Sequence, residues 1–312
     1  MINFVSPVTA QLLSPEDNKL VSASGEVFPV VNGIPRFVPA HNYADAFGYQ
    51  WKTFAKTQLD SFSGTRISQD RLERCLGFSI EGLAGKNILE VGSGAGRFTE
   101  LFVQAKAHVH TIDLSNAVEV NKENMGNAEN YSIAQASVYE LPFPNGCFDV
   151  VVCLGVIQHT PDSEKTIDAL WQMVKPGGML VIDHYIWRAN YYFNPATYWR
   201  VLLKELKPVT SKKIVDGLVN FFFPLHWAFR DMPVAEWLLK RFSPLITFIK
   251  VHPELSKEEH LDWARLDTYD SLTDYYKHLR TPEQIRQTLN QLGAKDIWIH
   301  KGGNGVEARA VK

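Results

Sequence analysis

Glu90, Gly92, Gly94, Gly96 and Asp113 form the group of residues with the clearest chemistry in this chain. The alternate glycines of Gly92-Ser93-Gly94-Ala95-Gly96 follow the apolar run Ile88-Leu89-Glu90-Val91 and lead into a helical pattern that starts at Arg97. A dinucleotide loop, GxGxxG, needs a small residue at position 97 so that the helix N-terminus can meet a pyrophosphate. The bulk of Arg97 argues against that seating, and three alternate glycines leave room for an uncharged nucleoside with a short zwitterionic chain. Asp113 ends the next apolar run, where a carboxylate can accept hydrogen bonds from both hydroxyls of a ribose. His159, His184 and Tyr185 fall just past two later strands, at the carboxyl edge where such sheets bind ligands. A histidine there can take the proton of an oxygen nucleophile.

These residues need a parallel α/β framework to bring them together, and the surrounding pattern predicts one. Strands are expected at Asn87–Val91, His108–Ile112, Tyr131–Gln135, Phe148–Gly155 and Met179–Asp183, and their continuous apolar runs suit strands buried on both faces. Lys175-Pro176-Gly177-Gly178 reads as a helix stop and tight turn. Residues 1–40, broken by seven prolines and glycines, predict a small β module. Residues 41–85 turn helical and aromatic, 86–186 form the alternating core, and 187–280 interrupt it with a helical segment rich in aromatic residues. That segment includes Trp187, Tyr192, Phe193, Trp199, Phe221–Phe223, Trp237 and Phe242. Thr281-Pro282 opens a last helix, and residues 281–312 close the sheet with a hairpin around Gly302-Gly303-Asn304-Gly305.

The 312 residues carry 45% hydrophobic and 21% charged side chains with a formal net charge of −2. That balance is ordinary for a folded protein and gives no electrostatic case for a nucleic-acid partner. Cys75, Cys147 and Cys153 have neither metal-ligand spacing nor disulfide density. No signal peptide or membrane span is expected, so a cytoplasmic location is the default reading. The stretch Ile214–Ile249 mixes aromatic residues with Lys240 and Arg241, as a segment lying on a membrane surface or meeting a lipid-linked substrate would.

With these motifs in place, the chain resembles the class I S-adenosylmethionine-dependent methyltransferases of the small-molecule type often called type 11. The likeness is firm over 86–186 and looser over 281–312. It implies a Rossmann-like, doubly wound, mostly parallel seven-stranded sheet with a terminal antiparallel hairpin, a small N-terminal β module and a helical lid insertion. It also implies that Glu90, Gly92, Ser93, Gly94 and Gly96 hold the methionine part of S-adenosylmethionine. Asp113 would bind the ribose and Leu114 the adenine. Ser137-Val138-Tyr139-Glu140-Leu141-Pro142-Phe143 resembles the adenine-recognition segment, with Ser137 where an aspartate is usual. Leu154 and Gly155 would lie below the sulfonium, and Tyr43, Gln50 and Trp51 would close over the methionine end with Arg66 as carboxylate partner. His159, His184 and Tyr185 would face the methyl acceptor.

Residues 1–40 also resemble a Trm112-type zinc ribbon from which every cysteine ligand is missing, so no metal is expected there. The activity implied is methyl transfer to a small-molecule, sugar or lipid-type acceptor, at oxygen. A C- or N-methyltransferase, or a cofactor-binding partner protein without transfer activity, are the alternatives. The acceptor and the oligomeric state have no readable motif.

Overall fold

The computed structural model describes residues 2–39, 42–189, 191 and 194–312; Tyr192, Phe193 and the 40/41 boundary lie outside the described residues. Four short strands come first: β1 (Leu13–Glu16), β2 (Lys19–Ser22), β3 (Val27–Val31) and β4 (Ile34–Pro35). They form an antiparallel sheet in that order. Where the resembled ribbon carries cysteines, hydroxyls converge on one carboxylate: Ser6, Thr9 and Ser24 all donate to Glu26. Ser6 Oγ in turn accepts the backbone N–H groups of Val8 and Thr9. The module docks through Phe4, which packs on Phe37 and Phe143, and through Phe37 N–H donating to the Gln135 carbonyl.

Helices α1 (Asp45–Thr53), α2 (Asp60–Ser63) and α3 (Ile67–Leu76) lead to the main sheet. Its strands are β5 (Asn87–Val91), β6 (His108–Asp113), β7 (Tyr131–Gln135), β8 (Phe148–Cys153), β9 (Val174–Tyr185), β10 (Lys295–Gly302) and β11 (Gly305–Val311), in the order β10-β11-β9-β8-β5-β6-β7. β5 to β9 pair in parallel; β11 is antiparallel to both β9 and β10. The crossovers run through α4 (Thr99–Gln104), α5 (Ala117–Met125) and α6 (Ser163–Met173). Strands added after β5 go first to one side and then, from β8, to the other, so the chain leaves a crevice at the carboxyl ends of β5 and β8. Val150, Val151, Val152 and Cys153 are all buried, as a strand covered on both faces requires.

The Lys-Pro-Gly-Gly stretch differs from expectation. It belongs to β9 as a bulge: Phe148 pairs with Val174, but Val150 pairs with Met179. A Cβ at Gly178 would stand 2.9 Å from the carbonyl oxygens of Asp149 and Lys175, so only glycine fits the close approach. The C-terminal Lys312 pairs with the bulge through both its N–H and its carbonyl, which converts a free turn into strand.

The insertion contains α7 (Pro195–Leu203), α8 (Pro208–Ala228), α9 (Pro233–Phe242) and α10 (Lys257–Thr273), with an irregular stretch at 243–256. α10 opens on a capping box between Ser256 and Glu259 and packs on α7, α8 and α1. Trp263, Ala264, Leu266, Tyr269 and Leu272 on several sides of it are buried, so it is the central helix of this unit. The last helix, α11 (Pro282–Gln291), has its own capping box, Thr281 with Gln284. Among the described residues no helix is long and apolar enough to cross a membrane.

Candidate functional site

One cleft lies at the crevice of the sheet, walled by the glycine loop, α1, the β8 end and α10. Gly92 and Gly94 have φ of 78° and 51°, in the left-handed region that favours glycine. A Cβ on Gly94 would stand 2.8 Å from the Trp51 indole, so α1 closes directly on the loop. Asp113 braces the loop from the next strand. Its Oδ2 accepts the Gly94 N–H at 2.9 Å, and its Oδ1 accepts both the N–H and the hydroxyl of Ser115. Burial raises its pKa above the ordinary carboxylate value. Glu90 is more deeply enclosed. It accepts hydroxyls from Thr99 and Thr111, and burial pushes it up to about 8, so it holds a proton at neutral pH.

Glu90, Gly92, Ser93, Gly94, Asp113, Leu114, Val138, Leu154, Gly155, Gln50 and Trp51 all line this cleft, as do Tyr43, His159 and Tyr185. Four expected residues do not. Gly96 faces α5, where a Cβ would meet Met125 at 3.0 Å; its role is helix packing. Ser137 spends its hydroxyl on the Tyr139 N–H, and the wall beside it is made by Ala136 and Val138. Arg66 is the exposed N-cap residue of α3, paired with Asp70 and Glu73. His184 sits behind the wall, with Nε2 3.2 Å from Ser163 Oγ and Nδ1 3.0 Å from the Tyr185 carbonyl. Burial lowers its pKa to about 4, so it is neutral and fully engaged.

The cleft also holds residues that the sequence did not single out. Arg71, five residues beyond Arg66, is clamped between Asp183 Oδ2 at 2.5 Å and Glu307 Oε1 at 3.2 Å. The Asp183 Oδ1 accepts the Gly155 N–H at 2.6 Å, so this ion group fixes the loop after β8. Arg97 donates from Nε to Ser68 Oγ and lies over the rings of Phe98 and Trp263. It makes no ion pair among the described residues, and burial pulls it down to about 10, still cationic at neutral pH. Across from the glycine loop, α10 presents Asp267 and Asp270, one turn apart. Burial raises both, and Asp267, further raised by Asp270, reaches about 7.

His159 joins the two walls. It follows β8, yet its Nε2 is 3.8 Å from Asp270 Oδ2 and its Nδ1 3.3 Å from Asp274 Oδ2 at the end of α10. Phe47 and Tyr185 contact the ring, with centroids 5.3 and 5.2 Å away. Burial opposes charging the ring, but Asp270 and Asp274 outweigh it and raise its pKa. Tyr185 donates to Asp270 at 3.2 Å, and burial with three nearby carboxylates holds its proton far above the ordinary range. Asp267-x-x-Asp270-x-x-x-Asp274 has a helical-face spacing, but spacing alone does not say what that face meets.

The residues present fit a nucleoside with an amino-acid tail. Ser93 Oγ and Gln50 Oε1 are buried against the cleft and have no protein partner among the described residues. Such atoms need a ligand or water. Asp113 lines the cleft beside the glycine loop, and Arg97 lines it with no ion pair among the described residues.

A solved structure of a putative S-adenosyl-L-methionine-dependent methyltransferase from Methanococcus maripaludis is similar at 15% identity with a TM-score of 0.47, covering 88% of this chain and 96% of that one. The ubiquinone biosynthesis O-methyltransferase of Azoarcus sp. (strain BH72) is 38% identical over 101 residues, 31% of this chain and 43% of that protein. The protein of the same name from Pseudomonas fluorescens is 40% identical over 105 residues, 32% of this chain and 44% of that one. The chain spans less than half the length of these curated relatives. Residues 89–182 match the family described as a methyltransferase domain. The glycine loop and the Asp113 brace both fall within this methyltransferase-domain match.

Proposed function

We propose that the chain transfers a methyl group from S-adenosylmethionine to an oxygen of a small-molecule, sugar or lipid-type acceptor, with His159 as the base. The observation that carries this reading is the position of His159 in the cleft, between the glycine-loop wall and the carboxylates of α10. The printed names of the relatives, O-methyltransferases, favour oxygen as the accepting atom.

Bound S-adenosylmethionine would supply an electrophilic methyl group on a sulfonium. Ser93, Gln50 and Asp113 orient the nucleoside and tail, and Arg97 takes the carboxylate in place of Arg66. Trp51 and Phe47 on α1 exclude water from above the loop. His159 Nε2 accepts the acceptor's hydroxyl proton, while Asp274 beside Nδ1 stabilises the imidazolium that results. Tyr185 keeps its proton and fixes Asp270, so it positions the base; His184 supports the wall. The insertion, 187–280, forms the acceptor side of the site through α10.

Incubating the full chain with methyl-labelled S-adenosylmethionine and a panel of catechols, sugars and lipid-linked phenols tests the reading. Label should appear in an oxygen-bound methyl group, and His159→Ala should lower its rate by about 10²–10⁴-fold while leaving binding of the demethylated cofactor intact. Cofactor binding without transfer to any acceptor would favour a partner-protein role instead.

A further inference from the structure

α9 carries its apolar side outward. Val234, Trp237, Leu238 and Phe242 recur at three- and four-residue steps and so share one face. Val234, Trp237 and Phe242 are 73%, 66% and 69% exposed, and no residue of the helix is buried. The side turned toward the protein holds Ala235, Glu236 and Leu239, all half-buried. This inverts the usual arrangement of a surface helix, whose apolar stripe faces the core. The end of α8 continues the exposure with its C-cap Phe229, and the connection to α9 adds Met232. A group of large exposed side chains on adjoining elements marks a surface that something covers.

Charge indicates what covers it. Residues 187–250 contain ten Lys and Arg against four Asp and Glu, a net +6 in a chain whose total is −2. Within the patch, Glu236 is shared by Lys240 and Lys250, so even the paired carboxylate leaves positive charge over. Exposed tryptophan and phenylalanine combined with excess lysine and arginine suit the boundary layer of an anionic bilayer, where aromatic rings enter the interface and cations meet lipid phosphates. We infer that the α9 face, with the end of α8, docks this protein on an anionic lipid surface. The inference rests on this surface and is independent of the methyl-transfer reading.

Co-sedimentation of the full chain with extruded vesicles tests it, comparing phosphatidylcholine alone with phosphatidylcholine containing about one-third phosphatidylglycerol. The chain should pellet with the anionic vesicles and be released as salt rises. The double substitution Trp237→Glu with Phe242→Glu should cut that binding about tenfold or more. Both positions are on the surface and outside the cleft, so the double variant should keep the wild-type melting temperature and affinity for the demethylated cofactor. No pelleting with anionic vesicles, or equal pelleting by the double variant, would overturn the assignment. So would a dimer in solution that the double substitution dissolves without any vesicle binding, since the face would then belong to a second copy.

Discussion

Nδ1 of His159 stands 3.3 Å from Oδ2 of Asp274, so a ring from the sheet's loop is held by the end of an inserted helix. The same carboxylate receives Arg200 from α7 and Lys277 at 3.2 Å. A shift of α10 would therefore move the carboxylates that hold His159.

Replacing His159 with Ala should lower methyl transfer by about 10²–10⁴-fold, the range for loss of a general base. Affinity for the demethylated cofactor, measured by calorimetry, should stay within about threefold, because His159 serves the acceptor side. A parallel loss of cofactor binding would place the ring in cofactor recognition instead.

The rate should depend on pH through this ring. Asp270 and Asp274 raise its pKa against the pull of burial, so the neutral, proton-accepting form grows as pH rises through that raised value. Asp270→Asn removes one raising charge and should move the rising limb of the rate profile to lower pH. A limb that stays in place would mean another group controls it.

Glu90 makes a stability prediction in the absence of cofactor. Its pKa is about 8 in the folded chain against 4.5 for the free side chain. Between those pH values the folded state binds more protons than the unfolded state, so this residue's contribution to stability falls as pH rises. Glu90→Gln removes that dependence. Its melting temperature relative to wild type should improve steadily from pH 5.5 to 8.5; a difference constant over that range would contradict the protonated state.

Arg97 and Arg66 should separate cleanly. Arg66→Ala breaks only exposed pairs and should change stability by less than about 0.5 kcal/mol, with no effect on the cofactor. Arg97→Met should weaken binding of the demethylated cofactor by about tenfold or more, as loss of a charged hydrogen bond does. Binding of methylthioadenosine, which has no carboxylate, should be unchanged. Equal weakening of both ligands would remove Arg97 from the carboxylate role.

Arg71→Met should destabilise the fold by about 3–5 kcal/mol in urea titration, because it leaves the buried Asp183 without its cation, while Glu307 keeps Arg74. An effect the size of Arg66→Ala would show the clamp to be dispensable.

Local pattern alone carried the strands, the glycine loop and Asp113. Alternate glycines, strand-length apolar runs and a carboxylate at a strand end depend on a few neighbouring residues, whose backbone needs are legible one at a time. The sequence also carried the placement of His159 at a strand end. It pointed to Arg66, which the structure pairs with Asp70 and Glu73 outside the cleft. Five residues, about 1.4 turns, separate Arg66 from Arg71, so they lie on different sides, and only the packed helix decides which side meets the sheet. Gly96 erred for a related reason: its φ of 102° is forced by the turn, but its neighbour is α5 and not the cleft.

From the sequence by itself came the α/β sheet, the cofactor loop and its acidic brace, since each is specified by residues close together in the chain. The tertiary structure alone decided what faces that loop. Asp267, Asp270 and Asp274 come from a helix more than one hundred residues past His159, and Glu307 reaches Arg71 from the last strand. Such partners carry no mark in local pattern, because what selects them is the cost of leaving a buried charge alone, and that cost exists only once the chain is folded.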